Sequence, residues 1–496
     1  MVYQVYPRSF ADASTAEHET AGVGDLRGLI DRLDYLQWLG IDALWLSPIF
    51  TSPMADFGYD ISDFCAIDPV FGTLADMDEL LAAAHQRGIR IILDWVPNHT
   101  SDQHPWFVES RRDRTNPKAD WYVWRDEPAN NWSASFPRGD PAWAFDESRQ
   151  QYFLRCFLPQ QPDLNWDQPD VEAAMLDTLR FWLDRGVDGF RMDVVHLIGK
   201  DLQRDDPHAE GRPPLTHVIH NDVPVTHERL RRIRGVLDSY DGDRVSVGEV
   251  YLLDEEAMAS YYGNDDELHL SFNFSFLWAP FEAAELRNRI TSTLTHLRPR
   301  DAWPTWVLSN HDVPRHRQRY GGGEAVARMA ATMLLTLPGT PFLYQGEELG
   351  LLDAIIPPER TVDPGLRDGS RAPLPWTAEP LHGWPVEPWL PFPPDAAQHN
   401  VATQMADPGS VLHFYRRVLH LRRSTPALLT GGFELVDLGA DVLAYRRDEW
   451  LVALNLGDTT AMLDRPSRVV VATDSTLEQS VIASVEPFVA VIACPA

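Results

Sequence analysis

Short β-type runs alternate with amphipathic helical segments along most of the chain, and this alternation limits the fold more than any other feature. Eight apolar runs have the length and composition of buried strands: residues 2–6, 43–46, 89–94, 187–192, 245–247, 270–273, 306–308 and 342–344. Helical patterns at residues 26–39, 74–87 and 171–185 each stop at a glycine. No Gly-rich phosphate fingerprint follows the first strand. The pattern therefore predicts an α/β protein with a (β/α)8 TIM barrel rather than an open doubly wound sheet.

Two connections are too long for simple strand–helix units. Residues 101–166 contain six tryptophans and many prolines, which predicts an inserted subdomain at the barrel mouth after the third strand. Residues 355–397 are rich in proline, which lowers the entropy of a loop before it orders and predicts a firm wall. From residue 426 the pattern changes to alternating strands, typical of an antiparallel β-sandwich. We predict a barrel of residues 1–100 and 167–425, an insertion of residues 101–166 and a C-terminal β domain of residues 426–496.

The amino-acid composition excludes some classes of binding partner. The 73 acidic and 43 basic side chains give a net charge of -30, which would repel nucleic acid and anionic membranes. The chain has 3 cysteines, too few for a disulfide scaffold and suited to a reducing compartment. We find no apolar run long enough to span a membrane and no leader-like N-terminal segment, so a cytoplasmic protein is expected. The sequence leaves a monomer and a homodimer open.

Polar residues follow the predicted strands, where catalytic groups lie in this fold. Arg191 and Asp193 are two residues apart on the fourth strand and project from the same face, so the guanidinium is expected to lower the pKa of Asp193 and keep it ionised. Glu249 follows the fifth strand, and Asp312 follows the seventh. Each alone is more often a turn former or a helix cap. Their common position at the strand ends favours a catalytic site, and two such carboxylates match the acid and nucleophile of a retaining glycosidase.

The motifs around these residues resemble the four signature segments of the α-amylase family, glycoside hydrolase family 13. They are Asp94-Trp-Val-Pro-Asn-His99, Gly189-Phe-Arg-Met-Asp193, Gly248-Glu249-Val and Ser309-Asn-His-Asp312, and the resemblance extends over essentially the whole chain. It implies that Asp193 is the nucleophile, Glu249 the acid/base and Asp312 the third carboxylate, which gathers the sugar hydroxyls. It also implies that three residues hold the sugar beside the scissile bond, namely Arg191, His99 and His311.

Other segments resemble the α-glucosidase and oligo-1,6-glucosidase branch of this family. They are Gln161-Pro-Asp-Leu-Asn-Trp166 and Gly58-Tyr59-Asp60. The resemblance implies that Tyr59 stacks on the sugar and that Asp60 binds its terminal hydroxyls. Arg367 matches the arginine that pairs with this aspartate, with Arg371 as the second candidate. An Asp60–Arg367 bridge would close the cleft into a pocket for one terminal glucose, with the insertion and the proline-rich loop as its walls. Phe157 and Gln161 match positions near the rim, although Phe157 fits core packing equally well.

The resemblance predicts a retaining exo-α-glucosidase acting on small neutral α-glucosides. Val194 is similar to a valine associated with α-1,6 cleavage, whereas Leu374-Pro-Trp376 and the loop of residues 201–228 resemble α-1,4-acting enzymes, so maltose-type substrates are favoured. A glucosyl transferase or isomerase, an oligo-1,6-glucosidase and a non-catalytic sugar-binding or scaffold relative remain alternatives.

No cofactor is expected, and no catalytic metal. Four residues after the fourth strand have a spacing that fits no tight ligand set and are expected to be solvated: His217, His220, Asp222 and His227. A family calcium loop would occupy residues 12–25, but extra residues interrupt it, so Asp12 and Asp25 allow weak Ca²⁺ binding at most. Lys200, one of two lysines, lies where this branch places an ammonium in the position of the α-amylase calcium.

Overall fold

The computed structural model of the chain describes residues 1–136, 139–206 and 222–496. Eight parallel strands form one sheet, and they are β1 Val2–Val5, β2 Ala43–Leu46, β3 Arg90–Trp95, β4 Gly189–Met192, β5 Val245–Gly248, β6 Leu270–Ser271, β7 Thr305–Val307 and β8 Thr340–Tyr344. Their order is β6-β5-β4-β3-β2-β1-β8-β7, so β1 lies between β2 and β8. The hydroxyl of Thr305 donates to the carbonyl of Ser271 where β6 and β7 meet. The predicted barrel is confirmed.

The helices begin and end where the sequence supplies caps. Thr73 and Asp76 form a reciprocal capping box at the start of the helix Leu74–Gln86, and Gly40 ends another helix with a φ of 103°. The α-helices are Leu26–Asp31, Leu33–Leu39, Leu74–Gln86, Pro105–Ser110, Pro169–Asp184, Pro224–Asp238, Glu255–Ser260, Phe274–Leu277, Ala283–Leu297, His316–Arg319, Glu324–Thr336, Val401–Ala406, Val411–Ser424 and Pro426–Thr430. Short 3₁₀ turns are Pro7–Ser9, Val195–Leu197, Arg298–Arg300, Pro358–Arg360, Pro380–Gly383 and Ser475–Leu477. The single helix expected at residues 26–39 is wrong, since Arg32 leaves helical geometry and divides it in two.

Residues 101–166 build their own small sheet beside the barrel mouth. Its strands are Trp124–Arg125, Gln151–Leu154 and Trp143–Asp146, paired antiparallel in that order. A separate antiparallel pair, Phe50–Thr51 with Asp63–Ile67, flanks the loop after β2. Four of the six tryptophans of the insertion are buried: Trp124, Trp132, Trp143 and Trp166. Trp132 and Trp143 pack in an apolar core of the insertion, and Trp166 packs against Trp95 of the barrel.

The C-terminal part is antiparallel, as predicted, but its strands form one sheet instead of two. The strands are β9 Glu434–Val436, β10 Val442–Arg447, β11 Trp450–Asn455, β12 Ala461–Ala472, β13 Val481–Val485 and β14 Ala490–Pro495, in the order β9-β10-β11-β14-β12-β13. One face packs against barrel helices, where the Tyr445 hydroxyl lies 2.6 Å from that of Thr336. The other face has an apolar core of its own around Val442 and Val469. The residue limits of the three domains stay predictions.

Among the described residues, every helix is too short or too polar to cross a bilayer.

Candidate active site

The carboxyl ends of β3, β4 and β5 bring three carboxylates around one buried guanidinium. Arg191 donates from Nη1 to Asp94 Oδ1 at 2.8 Å and to Asp193 Oδ1 at 2.7 Å, and from Nη2 to the carboxylate of Glu249. Its side chain is only 2% exposed. Because Arg191 and Asp193 alternate with outward residues on one short strand, both point to the barrel interior. The predicted grouping of Arg191, Asp193 and Glu249 is therefore present, and Asp94 is an added member.

The protonation of this cluster differs from the expectation for Asp193. Burial raises the pKa of Asp193, the Arg191 guanidinium opposes that rise, and the charges of Glu249 and Asp94 add to it. The net direction is upward, so our prediction of a lowered pKa is wrong. Burial also raises the pKa of Asp94 to about 6, against the pull of Arg191. Asp193 and Glu249 are held on the two Nη atoms of Arg191, which places the two carboxyl groups side by side.

Asp312, the third carboxylate of the predicted catalytic set, is held by two other arginines. Arg367 Nη1 donates to Asp312 Oδ1 at 2.9 Å, and Arg371 Nη2 donates to the same oxygen at 2.8 Å. Burial alone would raise the pKa of Asp312, but the coupling to His311 and the positive charges of Arg367 and Arg371 outweigh it and hold that pKa far below its usual range. Asp312 is therefore ionised at every ordinary pH.

The predicted pair of Asp60 with Arg367 is wrong, because Asp56 occupies that place. Arg367 Nη2 donates to Asp56 Oδ1 at 2.7 Å. Asp60 is 0% exposed, and its carboxylate accepts hydrogen bonds from the Ser52 hydroxyl and from the backbone N–H groups of residues 55 and 56. Both aspartates lie close to Tyr59 in the sequence, and only the path of the loop decides which one meets the arginine.

The loop that carries Asp56 is strained, and Asp60 holds it in that shape. Met54 and Phe57 have φ angles of 64° and 49°, in the left-handed region that disfavours side chains, and Gly58 has a φ of 109°. Such backbone persists only where surrounding contacts enforce it, and it is frequent at ligand sites. The three hydrogen bonds to Asp60 supply that enforcement and so fix Asp56 indirectly.

His311 is clamped between two aromatic rings and tied to the first barrel strand. Its ring stacks on Tyr59 at 5.4 Å and on Tyr6 at 5.8 Å between centroids. Its Nδ1 lies 2.7 Å from Nε2 of Gln4, and its Nε2 lies 2.7 Å from the Tyr59 hydroxyl, which also lies 3.1 Å from Asp94 Oδ2. Burial lowers the pKa of His311 to about 3. The imidazole is neutral, and Gln4, which we did not predict, orients it.

The remaining predicted residues form one wall of the site. His99 is buried, with Nε2 3.1 Å from the carbonyl of Tyr59, and burial lowers its pKa to about 4. Gln161 donates from Nε2 to Asp56 at 3.2 Å, and Phe157 lies 5.1 Å from the His99 ring. Phe157 and Gln161 therefore lie near the predicted site, as expected. Contact with a sugar stays a prediction for these residues, for His99 and for Tyr59.

Lys200 lies beneath the site in a nest of oxygen atoms. Its ammonium donates to Asn98 Oδ1 and to the carbonyl of Leu197, both at 2.8 Å, and lies 3.2 Å from Asp163 Oδ2. The side chain is 7% exposed. Three oxygens around one buried ammonium are the surroundings expected of a residue that replaces a bound cation.

The expected weak calcium loop has its carboxylates engaged by the backbone. Asp12 accepts from the N–H groups of Ser14 and Gly22 at 2.8 and 2.7 Å, and Asp25 accepts from that of Gly28 at 2.6 Å as a helix cap. Each of these oxygens keeps a second lone pair, and weak Ca²⁺ binding at this loop stays a prediction. Within residues 1–136, 139–206 and 222–496, no group of three or more His, Cys, Asp or Glu side chains could hold a metal. His227 bonds to Glu267 at 2.6 Å, whereas His217 and His220 lie outside the described residues.

Comparison with known proteins agrees with this geometry. The family model for the α-amylase catalytic domain matches residues 4–431. A probable α-glucosidase of Rhizobium meliloti (strain 1021) is 40% identical over 94% of this chain and 90% of its own length. An oligo-1,6-glucosidase of Heyndrickxia coagulans is 37% identical over 94% of this chain and 93% of its own length. The solved structure of an α-glucosyl transfer enzyme is 40% identical, with a TM-score of 0.90, and covers 100% of this chain and 98% of its own. On this match and on the four carboxylate-bearing segments of its barrel, the chain belongs to the α-amylase family.

Proposed function

We propose that this protein is a retaining, exo-acting α-glucosidase that releases glucose from the non-reducing end of short α-glucosides, with α-1,4-linked, maltose-type substrates favoured. The observation that carries the proposal is the contact of one guanidinium with two carboxylates: Arg191 donates to both Asp193 and Glu249. The relatives named α-glucosidase and oligo-1,6-glucosidase support the same class of reaction.

The closeness of the two carboxyl groups favours retention of configuration. An inverting enzyme needs its carboxyl groups roughly 6.5–9.5 Å apart to admit a water, whereas a retaining enzyme has them about 5–5.5 Å apart. Asp193 and Glu249 contact the two Nη atoms of one guanidinium. Because the two Nη atoms of a guanidinium are close together, this arrangement favours the shorter separation of a retaining enzyme.

In the first step a carboxylate oxygen of Asp193 attacks the anomeric carbon of the terminal glucose. The glycosidic bond breaks, and the leaving oxygen takes the proton of Glu249, which gives a covalent β-glucosyl ester. This step requires an ionised Asp193 and a protonated Glu249 when the substrate binds. In the second step Glu249 removes a proton from water, the water oxygen attacks the same carbon, and the bond to Asp193 breaks. Glucose leaves with its original α configuration.

The far end of the site is built to bind one terminal sugar. Asp56 and Asp312 both accept hydrogen bonds from Arg367, and Gln161 donates to Asp56. Carboxylates and a guanidinium are suited to the hydroxyl groups of a neutral glucose, since each hydroxyl both donates and accepts. The ion pair between Asp56 and Arg367 closes the far end of the cleft, and a closed end supports exo rather than endo cleavage. A neutral substrate is also compatible with the net charge of -30.

A glucosyl transferase or isomerase is the second candidate, supported by the similarity to the α-glucosyl transfer enzyme. It would use the same ester and differ in excluding water from it, so that a sugar or alcohol hydroxyl attacks instead. An oligo-1,6-glucosidase would differ in linkage preference, for which Val194 is the residue to test. Val194 has a φ of 35° and donates its N–H to Glu249 at 3.3 Å, so its side chain is fixed beside the acid/base. The complete carboxylate set argues against a non-catalytic relative.

We further propose that the reaction needs no cofactor and that the protein acts in the cytoplasm as a monomer or homodimer. The cysteines Cys65, Cys156 and Cys494 are unpaired, which suits a reducing compartment.

The experiment is to assay maltose, isomaltose, sucrose and an aryl α-glucoside with the wild type and with Asp193→Ala. Glucose released as its α anomer by the wild type, and a loss of about four orders of magnitude in the variant, are expected. Full activity in Asp193→Ala would reject the proposed function. A product mixture dominated by new glucosides at high sugar concentration would favour the transferase.

A further inference from the structure

Arg367 is anchored on the proline-rich loop by a carboxylate four residues before it. Asp363 Oδ2 accepts the backbone N–H of Arg367 at 2.7 Å and its Nε–H at 2.8 Å, and Oδ1 accepts from Nη2 at 2.7 Å. The Asp363 side chain is 0% exposed, so it does not reach the pocket itself. One carboxylate thus holds both the main chain and the guanidinium of Arg367.

Counting N–H donors shows how completely this guanidinium is fixed. An arginine side chain has five N–H bonds in a rigid plane. Two of those of Arg367 go to Asp363, one goes to Asp56 and one goes to Asp312. Within the part of the chain that the structure describes, four bonds are therefore taken and one on Nη1 is left for a ligand. The two hydrogen bonds from Nε and Nη2 to Asp363 fix the plane of the Arg367 guanidinium. That plane determines the directions of its other N–H donors.

Neighbouring residues restrict the Arg367 guanidinium further. Phe136 of the insertion covers its face at 5.0 Å from the ring centroid. A Cβ at Gly365 would lie 2.8 Å from both Phe136 Cε2 and Arg367 Nε, so only glycine permits this approach. Arg371 Nη1 lies 3.5 Å from Asp363 Oδ1, which ties the second arginine of the pocket to the same carboxylate.

We propose that Asp363 is a positioning residue for substrate binding, which pre-orients Arg367 toward the terminal sugar by holding its backbone and guanidinium at once. The inference rests on the proposed function, because Arg367 is taken as a sugar-binding residue there. A pre-oriented arginine loses little side-chain entropy when the substrate binds. Without Asp363 the guanidinium keeps its two pocket partners but no longer has its plane fixed.

The test compares Asp363→Asn with Asp395→Asn, each alone and in an Arg367→Ala background. Asp395 offers the matched control, because it lies in the same loop and pairs with another arginine, Arg317, at 2.8 Å. Steady-state kinetics on maltose and an aryl α-glucoside, together with the melting temperature, are measured for every variant. Asp363→Asn is expected to raise KM by about tenfold and to change kcat less than about threefold. In the Arg367→Ala background the same change is expected to alter KM less than about twofold.

Three results would overturn the inference. An unchanged KM in Asp363→Asn would remove the positioning role, and so would an equal rise in KM in the Arg367→Ala background. A rise that Asp395→Asn reproduces, with the same fall in melting temperature, would show a general structural effect of the loop. If the wild type itself released no glucose from either substrate, the proposed function would fail instead, and the two failures are therefore distinguishable.

Discussion

Arg367 donates a hydrogen bond from Nη2 to Asp56 Oδ1 at 2.7 Å, joining the loop after β2 to the proline-rich loop 311 residues later. Both partners also contact other residues of the proposed sugar-binding site, since Arg367 contacts Asp312 and Gln161 contacts Asp56. The ion pair therefore closes the pocket and shapes it in the same contact. Asp60, four residues after Asp56, supports this arrangement from inside the loop.

Substitutions of Asp56 and Asp60 are expected to have different effects on activity and stability. Asp56→Asn removes the charge that pairs with Arg367, so KM for maltose is expected to rise by at least about tenfold with little change in melting temperature. Asp60→Asn disturbs acceptors for buried N–H groups, so a lower melting temperature is expected along with any loss of activity. Kinetics and thermal melting of both variants check this. The reverse assignment would place Asp60 in the pocket and remove Asp56 from it.

Gln4 is expected to set the tautomer of His311. Its amide donates to Nδ1, so the proton resides on Nε2, which faces the Tyr59 hydroxyl and lies 3.3 Å from Asp312 Oδ2. Gln4→Glu presents an acceptor instead and moves the proton to Nδ1. We expect kcat/KM to fall by at least about tenfold and the ¹⁵N shifts of His311 to exchange their character.

The control for Gln4 is Ser47→Ala. The Ser47 hydroxyl accepts from the same amide at 3.1 Å but does not touch His311. Activity within about twofold of the wild type is expected for Ser47→Ala. Equal losses in the two variants would indicate that Gln4 acts through packing of β1 and β2.

The two lysines of the chain are expected to differ sharply in their contribution to stability. Lys200→Met leaves Asp163 buried without its cation and is expected to cost about 3–5 kcal/mol. Lys118 is partly exposed and lies 3.7 Å from the centroid of the Trp121 ring, so Lys118→Met should cost about 1 kcal/mol or less. Melting temperatures of the two variants provide the comparison. Similar small shifts for both would mean that Lys200 does not replace a structural cation.

Buried histidines are expected to make the protein sensitive to acid. Burial, with a smaller effect of Lys118, lowers the pKa of His104 to about 3, while the unfolded chain keeps the usual value near 6.5. The stability from neutral His104 is therefore complete above pH 6.5 and is lost as the pH falls below it, by about 1.4 kcal/mol per pH unit.

His104→Asn isolates this effect. The His104 Nδ1 caps a helix by accepting the Trp106 N–H at 3.1 Å, and asparagine keeps a capping acceptor without titrating. We expect the fall in melting temperature between pH 7 and pH 5 to be smaller in His104→Asn than in the wild type. The exposed residue His420 provides the control, and an equal benefit from His420→Asn would contradict the assignment.

The sequence predicted the barrel and the grouping of carboxylates at its strand ends because both depend on local signals. Strand periodicity locates β4. The two-residue spacing of Arg191 and Asp193 places both side chains on one face of that strand, independently of the rest of the fold. The choice between Asp56 and Asp60 depends on a strained turn with positive φ at Phe57, a non-glycine residue. No propensity rule anticipates such a turn.

Sequence patterns also could not predict contacts between residues that are far apart in the chain. Gln4 meets His311 because β1 lies two strands from β7 in the closed sheet, and nothing near residue 4 signals an active-site partner. The upward pKa of Asp193 has the same origin, since it depends on burial and on three neighbouring charges rather than on Arg191 alone. The tryptophan-rich composition of the insertion did not show which of its residues reach the pocket, because composition does not distinguish a pocket wall from a core.

The most direct test of the central claim is to trap the covalent ester on Asp193. Glu249→Gln lacks the base for the second step, while an aryl α-glucoside with a good leaving group needs no acid for the first. Mixed with that substrate and quenched, the variant is expected to show a burst of about one phenol per enzyme and one glucosyl group on the peptide that contains Asp193. A protein that stays unmodified while it releases glucose, with that glucose formed as the β anomer, would contradict the account.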